Sequence, residues 1–595
     1  MSEDSLVAAG ALQGRTARPR PRRLPIGVDY HVSHPKTQSK NPQHNRLRGF
    51  GLARAEVSQY VRYRRVPRER FLTDDALAAL RELEARPRIY HNATVARLVE
   101  RNYRIAPAYF WDDLRIMAYL LEVRPYELKD LIERFYAPTE TPLPSRRHDI
   151  RARGHAEAIA DIYEKTDWRE RIFLEGLDVA YDIELGAVEP TVAMIENGIL
   201  VDSERLQAHL TELRPQAQEA RNEVRQLTGQ SILYRQIEKD FNDLIRGVLK
   251  LPALCVRWDK SRTLDQRTLR RLAKQDPTGA IEKFITSQAA MLAWRNGFEI
   301  LKAIEYTTGR IHPDLDPLGT DTGGFVCKSP LLHAIPESLL DVFVAPEGYT
   351  LLAASYSDIE LRILAHLTHD ESLLEAFCTP GSSVDLRRRT AAAALAIPEE
   401  RVTGNRLNKF GRLIDRGQGF RLSALGVASE LETTVERAEE VIGRLLARFP
   451  GVQQWIADTA ETAEADGAAR SLYGRRRTLS LSDTEILSGA EHWPELREAV
   501  DFSVEATAAD ILKLGLARLY EVLPNDCHLL LPLADGVLME VPQGRAKEIA
   551  KLVRQTLEEP PTDFSVPLRV KLSRGRTWAD CKGRPQRVEQ DSNPS

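Results

Sequence analysis

The sequence predicts a multidomain chain of mixed α/β and α+β character, and three observations predict it. Its 595 residues exceed the ~250–300 that one hydrophobic core usually serves. An N-terminal stretch reads as short strands followed by helices, the pattern of a small α/β domain. A second region near the middle reads as a strand running straight into a helix, with a hairpin far downstream.

In order along the chain, RTARPRPRR (residues 15–23) cannot form a helix and buries nothing. It predicts a disordered basic arm over residues 1–23, either solvated or resting on phosphates. LPIGVDYH, LRGFGLARA and SQYVRYRRV read as strands between polar turns. DDALAALRELEA, TVARLVERNY, DDLRIMAYLLEV and PYELKDLIERFY then carry helical periodicity, and TETPLPSRR reads as a loop. Helices continue to about residue 300. YTLLAASYS is a strand, and SDIELRILAHL a helix with Ser357 as expected N-cap and Glu360 completing a capping box. TAADILKLGLARLYEVL places Ala508, Ile511, Leu512, Leu516 and Leu519 on one helical face. HLLLPLADGVLMEV reads as a hairpin turning at Asp535-Gly536.

Composition narrows the function classes. Apolar and charged fractions of 43% and 28% suit a soluble globular protein. A net charge of −3 argues against a simple basic coat protein, though a groove can be positive on a neutral molecule. The five cysteines form no Cys-x-x-Cys pair, so neither a zinc site nor a disulfide framework is expected, and a reducing cytoplasm fits. No apolar run is long enough to span a membrane.

SYSDIELRILAHLTHDESLLEAF is similar to the first polymerase motif of family A DNA polymerases, DYSQIELRxLAHLSxD. TGR-IHPDLDPLGTDTGGF with KSPLLHAIP, then RFPGV, SLYGRRR, TAADILK, ADGVLMEV and VPLRVKLSRGRTWAD match further blocks in family order, over about residues 175–580. IGVDYH, IYHNATVA, WDDLRIMAYLL and HAEAIADIY resemble, more weakly, its RNase H-like 3′–5′ exonuclease domain. The resemblance implies a right-hand polymerase: exonuclease-like domain 24–174, thumb 175–310, palm 311–395 and 491–595, and fingers 396–490.

Templated nucleotide addition needs two Mg²⁺ ions on palm carboxylates. By the resemblance the first lies at Ser355, a neutral hydroxyl. Asp358 is a possible substitute ligand or an acid of the first helical turn. Asp535 stands for the second carboxylate, as a remnant metal ligand or a turn residue, flanked by Ala534 and Gly536 where the family has His and Glu. Glu360 matches the residue beneath the incoming sugar, or is the capping-box acid. Asp510 is read as a helix-start acid.

The fingers helix RxxxKxxxFxxxYG maps onto Asn408, Arg412, Arg416 and Phe420. Arg412 keeps the charge but cannot donate a proton as lysine can. Gly417 and Gly419 weaken the helix, and Gly324 replaces the Arg of the TGR motif. In the exonuclease-like part, Asp29-x-His31, Ala96 and Ile159 stand for the metal-binding acids, while Asp112 and Asp161 are read as surface acids.

Arg387, Arg388 and Arg389, Arg406 and Lys409, and Arg475, Arg476 and Arg477 supply phosphate partners for DNA, with Arg387 and Arg412 near nucleotide. The expected function is a DNA-binding pseudo-polymerase, a structural or accessory factor in replication, repair or genome defence. It needs no cofactor, takes DNA and a protein partner, avoids membranes, and works in the bacterial nucleoid. An active nucleotidyltransferase with unusual Mg²⁺ ligands, or an interaction scaffold without nucleic acid, are the alternatives.

Overall fold

The computed structural model describes residues 26–33, 46–54, 57–62, 87–102, 111–136, 148–231, 237–251, 266–305, 307–379, 383–402, 424–431, 433–479, 493–561 and 564–582. The expected basic arm and the helix over DDALAALRELEA lie outside them.

Five strands open the chain: β1 (Ile26–Ser33), β2 (Arg46–Arg54), β3 (Val57–Arg62), β4 (Arg88–Tyr90) and β5 (Trp111–Asp113). Their order is β3-β2-β1-β4-β5, with the first three antiparallel and the last two parallel to β1. The short strands β4 and β5 do not stand out in the sequence, because three residues cannot show a period of two. Helix Leu114–Leu120 starts at once, since the Asp113 side chain accepts from the backbone N–H groups of Arg115 and Ile116.

Helix Ser203–Thr228 packs along helix Ala280–Ala303. Its buried residues Leu206, Leu213, Ala217, Ala220 and Val224 recur every three, four or seven positions, an apolar stripe on one side. Asp202 caps the start, and Gly229 in the left-handed region ends it. Short strands bracket these helices, β6 (Ile199–Leu200) pairing with β7 (Arg310–Ile311), and β8 (Leu315–Asp316) then pairs with β9 (Val326–Cys327).

The second sheet is built on β10 (Tyr349–Tyr356). A short hairpin, β11 (Ala468–Arg470) and β12 (Arg476–Thr478), stands apart from it. The remaining strands are β13 (His528–Leu533), β14 (Gly536–Pro542) and β15 (Val570–Gly575), giving the order β13-β14-β10-β15, all antiparallel. Helix Trp493–Val522 packs against several neighbours and buries most of its middle, including Ala506, Ile511, Leu516 and Leu519. TAADILK is therefore mid-helix and not a helix start.

Two local expectations change. Asp358, not Ser357, is the N-cap of helix Ile359–Thr368; it sits at φ 55°, ψ 38° and makes no side-chain cap hydrogen bond. The Ser357 N–H instead donates to the Arg569 carbonyl at 2.7 Å, so no capping box forms. The hairpin turns at Ala534–Asp535, because Leu533 and Gly536 are already paired. Gly536 is required for space: a Cβ there would lie 2.0 Å from the Ala354 carbonyl oxygen and 2.7 Å from Ser355 Cα.

Candidate functional site

Strand register assembles the site. Ser355, near the end of β10, is paired with Gly536 on one side and Lys571 on the other, and Gly536 is paired with Leu533. A single row, Leu533–Gly536–Ser355–Lys571, thus crosses all four strands. Directly opposed residues point to the same face with Cβ atoms roughly 4.5–5.5 Å apart. The Asp535 carbonyl accepts from the Tyr356 N–H at 2.8 Å, which clamps the hairpin turn onto the end of β10. Above this floor lies a cleft of about 1160 Å³ lined by Ser355, Asp358, Glu360 and Asp535. Glu505, Arg554, Lys571 and Lys582 also line it.

Beside the cleft is a buried ion cluster. Arg475 Nη2 donates to Glu184 Oε1 and Asp510 Oδ1, both at 2.5 Å. Lys513 Nζ donates to the two Glu184 oxygens at 2.5 and 2.6 Å and to the Pro317 carbonyl at 2.9 Å. All four side chains are at most 1% exposed. Burial pushes the Asp510 carboxyl up and the Lys513 ammonium down, with the opposite charges acting against both shifts. The Arg475 guanidinium lies 5.8 Å from the Tyr119 ring centroid and fills the space a Cβ on Gly323 (φ +81°) would need.

The model of DNA polymerase family A matches residues 203–580, which includes every strand of the row. The chain belongs to DNA polymerase family A. It is 31% identical to DNA polymerase I of Pseudomonas aeruginosa over 415 residues, 68% of this chain and 44% of that protein. It is 27% identical to the thermostable DNA polymerase I of Thermus thermophilus, over 79% of this chain and 55% of the relative. The chain thus spans about half the length of these relatives. The solved POL domain of Pol1 from M. smegmatis, in complex with DNA primer-template and dNTP, superposes with a TM-score of 0.80 at 25% identity. That match covers 94% of this chain and 96% of the other.

For a family A protein the row has the wrong donors for divalent ions. Mg²⁺ takes hard, preferably charged oxygens. Here Ser355 offers a neutral hydroxyl, Gly536 no side chain, and Lys571 an ammonium beside them. Asp535 supplies one carboxylate from an exposed turn. Among the described residues no group of three or more His, Cys, Asp or Glu side chains is placed to hold a metal. The row itself offers no paired carboxylates, while Asp358, Glu360, Glu505 and Asp535 line the cleft around it.

Several sequence expectations for the family A site are corrected. Arg475 is no phosphate partner, since it is buried and held by two carboxylates. Arg476 pairs with Glu175 at 3.0 Å, and Arg477 with Glu498 and, at 3.7 Å, with Asp321. Asp510 is a core acid within a long helix. Asp112 is not a surface acid: it is fully buried and accepts from Tyr163, Arg169 and Tyr181. Asp161 is partly buried and pairs with Lys165 at 2.6 Å.

Other expected residues fall differently. Gly324 donates its N–H to Thr320 Oγ1 at 2.7 Å. Ala96 and Ile159 are buried core residues, and Asp29 and His31 lie on β1. Arg387, Arg388 and Arg389 share helix Ser383–Leu395, with Arg388 and Arg389 exposed. Arg406, Asn408, Lys409, Arg412, Arg416, Gly417, Gly419 and Phe420 lie outside the described residues. Sequence reasoning missed Lys571, Lys582, Arg554 and Glu505. Alternation in VPLRVKLSRG marks Lys571 as facing away from Val570 and Leu572, but not which strand lies beside it.

Proposed function

We propose that this chain is a DNA-binding pseudo-polymerase of the DNA polymerase I type, which holds DNA without extending it. The observation that carries the reading is the row Gly536–Ser355–Lys571 across the sheet floor. Phosphoryl transfer by two metals needs shared carboxylates at that place. A hydroxyl, a glycine and an ammonium supply neither the charge nor the ligands.

The solved relative bound to primer-template supports DNA as the partner. On this reading the sheet β13-β14-β10-β15 is the palm, the paired helices 203–228 and 280–303 the thumb, and residues 396–490 the fingers. The sheet order β3-β2-β1-β4-β5 supports a remnant RNase H-like exonuclease domain, with Ala96 and Ile159 where metal-binding acids would stand. Arg412, Arg416 and Phe420 would face nucleotide, while Arg388, Arg406 and Lys409 reach DNA phosphates. The protein requires no cofactor and serves replication, repair or genome defence as an accessory factor in the bacterial nucleoid. No helix among the described residues is long and apolar enough to cross a membrane.

Binding of a fluorescent primer-template, followed by anisotropy across a series of KCl concentrations in EDTA, tests this half of the proposal. We expect sequence-independent binding whose log–log salt slope falls by about 0.9 for each phosphate contact removed from Arg388, Arg406 and Lys409. Absence of binding at low salt would leave only an interaction scaffold.

A further inference from the structure

We propose that the N-terminal sheet, with the helices that follow β4 and β5, braces one wall of the cleft, and that Arg115 is the positioning residue of the brace.

The wall is the segment joining β8 to β9, whose Thr322, Gly323, Gly324 and Phe325 line the cleft. Three side chains from or just after helix Leu114–Leu120 hold it. Arg115 donates to both oxygens of Asp316, at 3.1 and 2.8 Å, and each side chain of this pair is only 7% exposed. The Tyr119 hydroxyl donates to the Thr320 carbonyl at 2.8 Å. Arg124 pairs with Asp321 at 2.7 Å. Lys328 also meets Asp316, at 2.6 Å, but it directly follows β9 and so ties the hairpin to itself. Deeper in the fold, Lys513 donates to the Pro317 carbonyl at 2.9 Å.

A brace needs an anchor, and helix Ala93–Asn102 supplies it. Arg97 donates to Glu189 at 2.6 Å, and Arg101 to Glu196 at 2.6 Å and to the Tyr520 hydroxyl at 2.7 Å. These partners lie on helices Val188–Asn197 and Trp493–Val522. One carboxylate couples the anchor to the arm. Asp113 accepts from the N–H groups of Asn92 and Ala93, where the anchor helix begins. It also accepts from those of Arg115 and Ile116, where the arm begins. The sheet thus reaches the cleft wall from a fixed base. This role needs no metal and no acid at Ala96 or Ile159, both of which are core residues.

Cys327 on β9 reports on the wall. It is 1% exposed, and its thiol donates to the Pro330 carbonyl at 2.9 Å. Burial pushes that thiol up to about 11, so it reacts slowly while the hairpin stays in place. The full chain is treated with iodoacetamide under native conditions, and labelling of each cysteine is followed by peptide mass spectrometry. Cys527, directly before β13, reports on unfolding of the second sheet. In R115M the labelling rate of Cys327 relative to Cys527 should rise roughly tenfold, because two hydrogen bonds between charged groups are lost and the hairpin opens locally. Y119F keeps the ring, loses one hydroxyl bond, and should raise the same ratio roughly twofold to tenfold. Y119F alone decides the matter if R115M does not fold. A ratio unchanged in the variants that fold, including one in which both cysteines accelerate together, overturns the brace. The result is independent of whether the chain binds DNA.

Discussion

Arg475→Ala should cost about 3–5 kcal/mol of stability. Two cations and two anions are buried together here, and their charges cancel. Removing the guanidinium leaves Asp510 with Ser471 Oγ at 3.1 Å and Glu184 with Lys513 alone, so an uncompensated carboxylate stays in the core. The cluster also bridges distant elements, since Glu184 lies on helix Asp178–Gly186, Arg475 immediately before β12, and Asp510 and Lys513 on helix Trp493–Val522. Gly323→Ala probes the same spot independently, because its Cβ would lie 2.6 Å from the guanidinium carbon at a φ of +81°. Chemical denaturation should show a much lower midpoint for both variants. Whatever fraction of Arg475→Ala folds should keep the salt slope of DNA binding, as this arginine touches no phosphate. A midpoint unchanged from the parent would contradict the account.

Gly536→Glu should destabilise the sheet without creating a metal site. Its first side-chain carbon would collide with the backbone of β10, 2.0 Å from the Ala354 oxygen. Overpacking of this kind costs roughly 1–3 kcal/mol, and a strand backbone yields less readily than a side chain. Ser355→Asp meets no such obstacle, but places its carboxylate opposite Lys571. An opposite-charge cross-strand pair contributes roughly 0.2–1 kcal/mol, so this variant should melt no lower than the parent. Thermal melts combined with Mn²⁺ titration calorimetry check both. A stable Gly536→Glu that binds Mn²⁺ tightly would mean the row still accepts metal.

The longer strands and helices of this protein were legible in the sequence, but the three-residue strands β4 and β5 were not. The stripe Ile511, Leu512, Leu516, Leu519 follows from helical periodicity, β10 from its apolar run into a helix, and the β13–β14 hairpin from the Asp-Gly signal between two apolar runs. Side-chain pairing over long separations was not. An arginine run has the same composition whether solvated or buried, and Arg475 meets Glu184 from 291 residues away. Asp112 looked like a surface acid because its partners Tyr163, Arg169 and Tyr181 lie 51 to 69 residues on. Asp-Gly suggested a turn at Asp535-Gly536, yet the glycine answers to a close strand approach that only the folded sheet reveals. Ser357 has the chemistry of a cap, but its N–H is drawn to Arg569 and the cap falls to Asp358. That Ser355 and Asp535 lie at neighbouring strand ends followed from the resemblance; that Lys571 sits opposite Ser355 needed the register of β15.

Primer extension tests the central claim most directly. A labelled primer-template is incubated with the purified chain and dNTPs in Mg²⁺ and, separately, Mn²⁺, and primer lengths are read on a denaturing gel. The account predicts neither lengthening nor shortening of the primer above background, and no rescue by Ser355→Asp. Loss of metal-based charge stabilisation removes several kcal/mol from the transition state, and each ~1.4 kcal/mol is tenfold in rate. Robust extension by the unmodified chain, abolished by Asp535→Ala, would contradict the pseudo-polymerase reading and make Asp535 a working metal ligand.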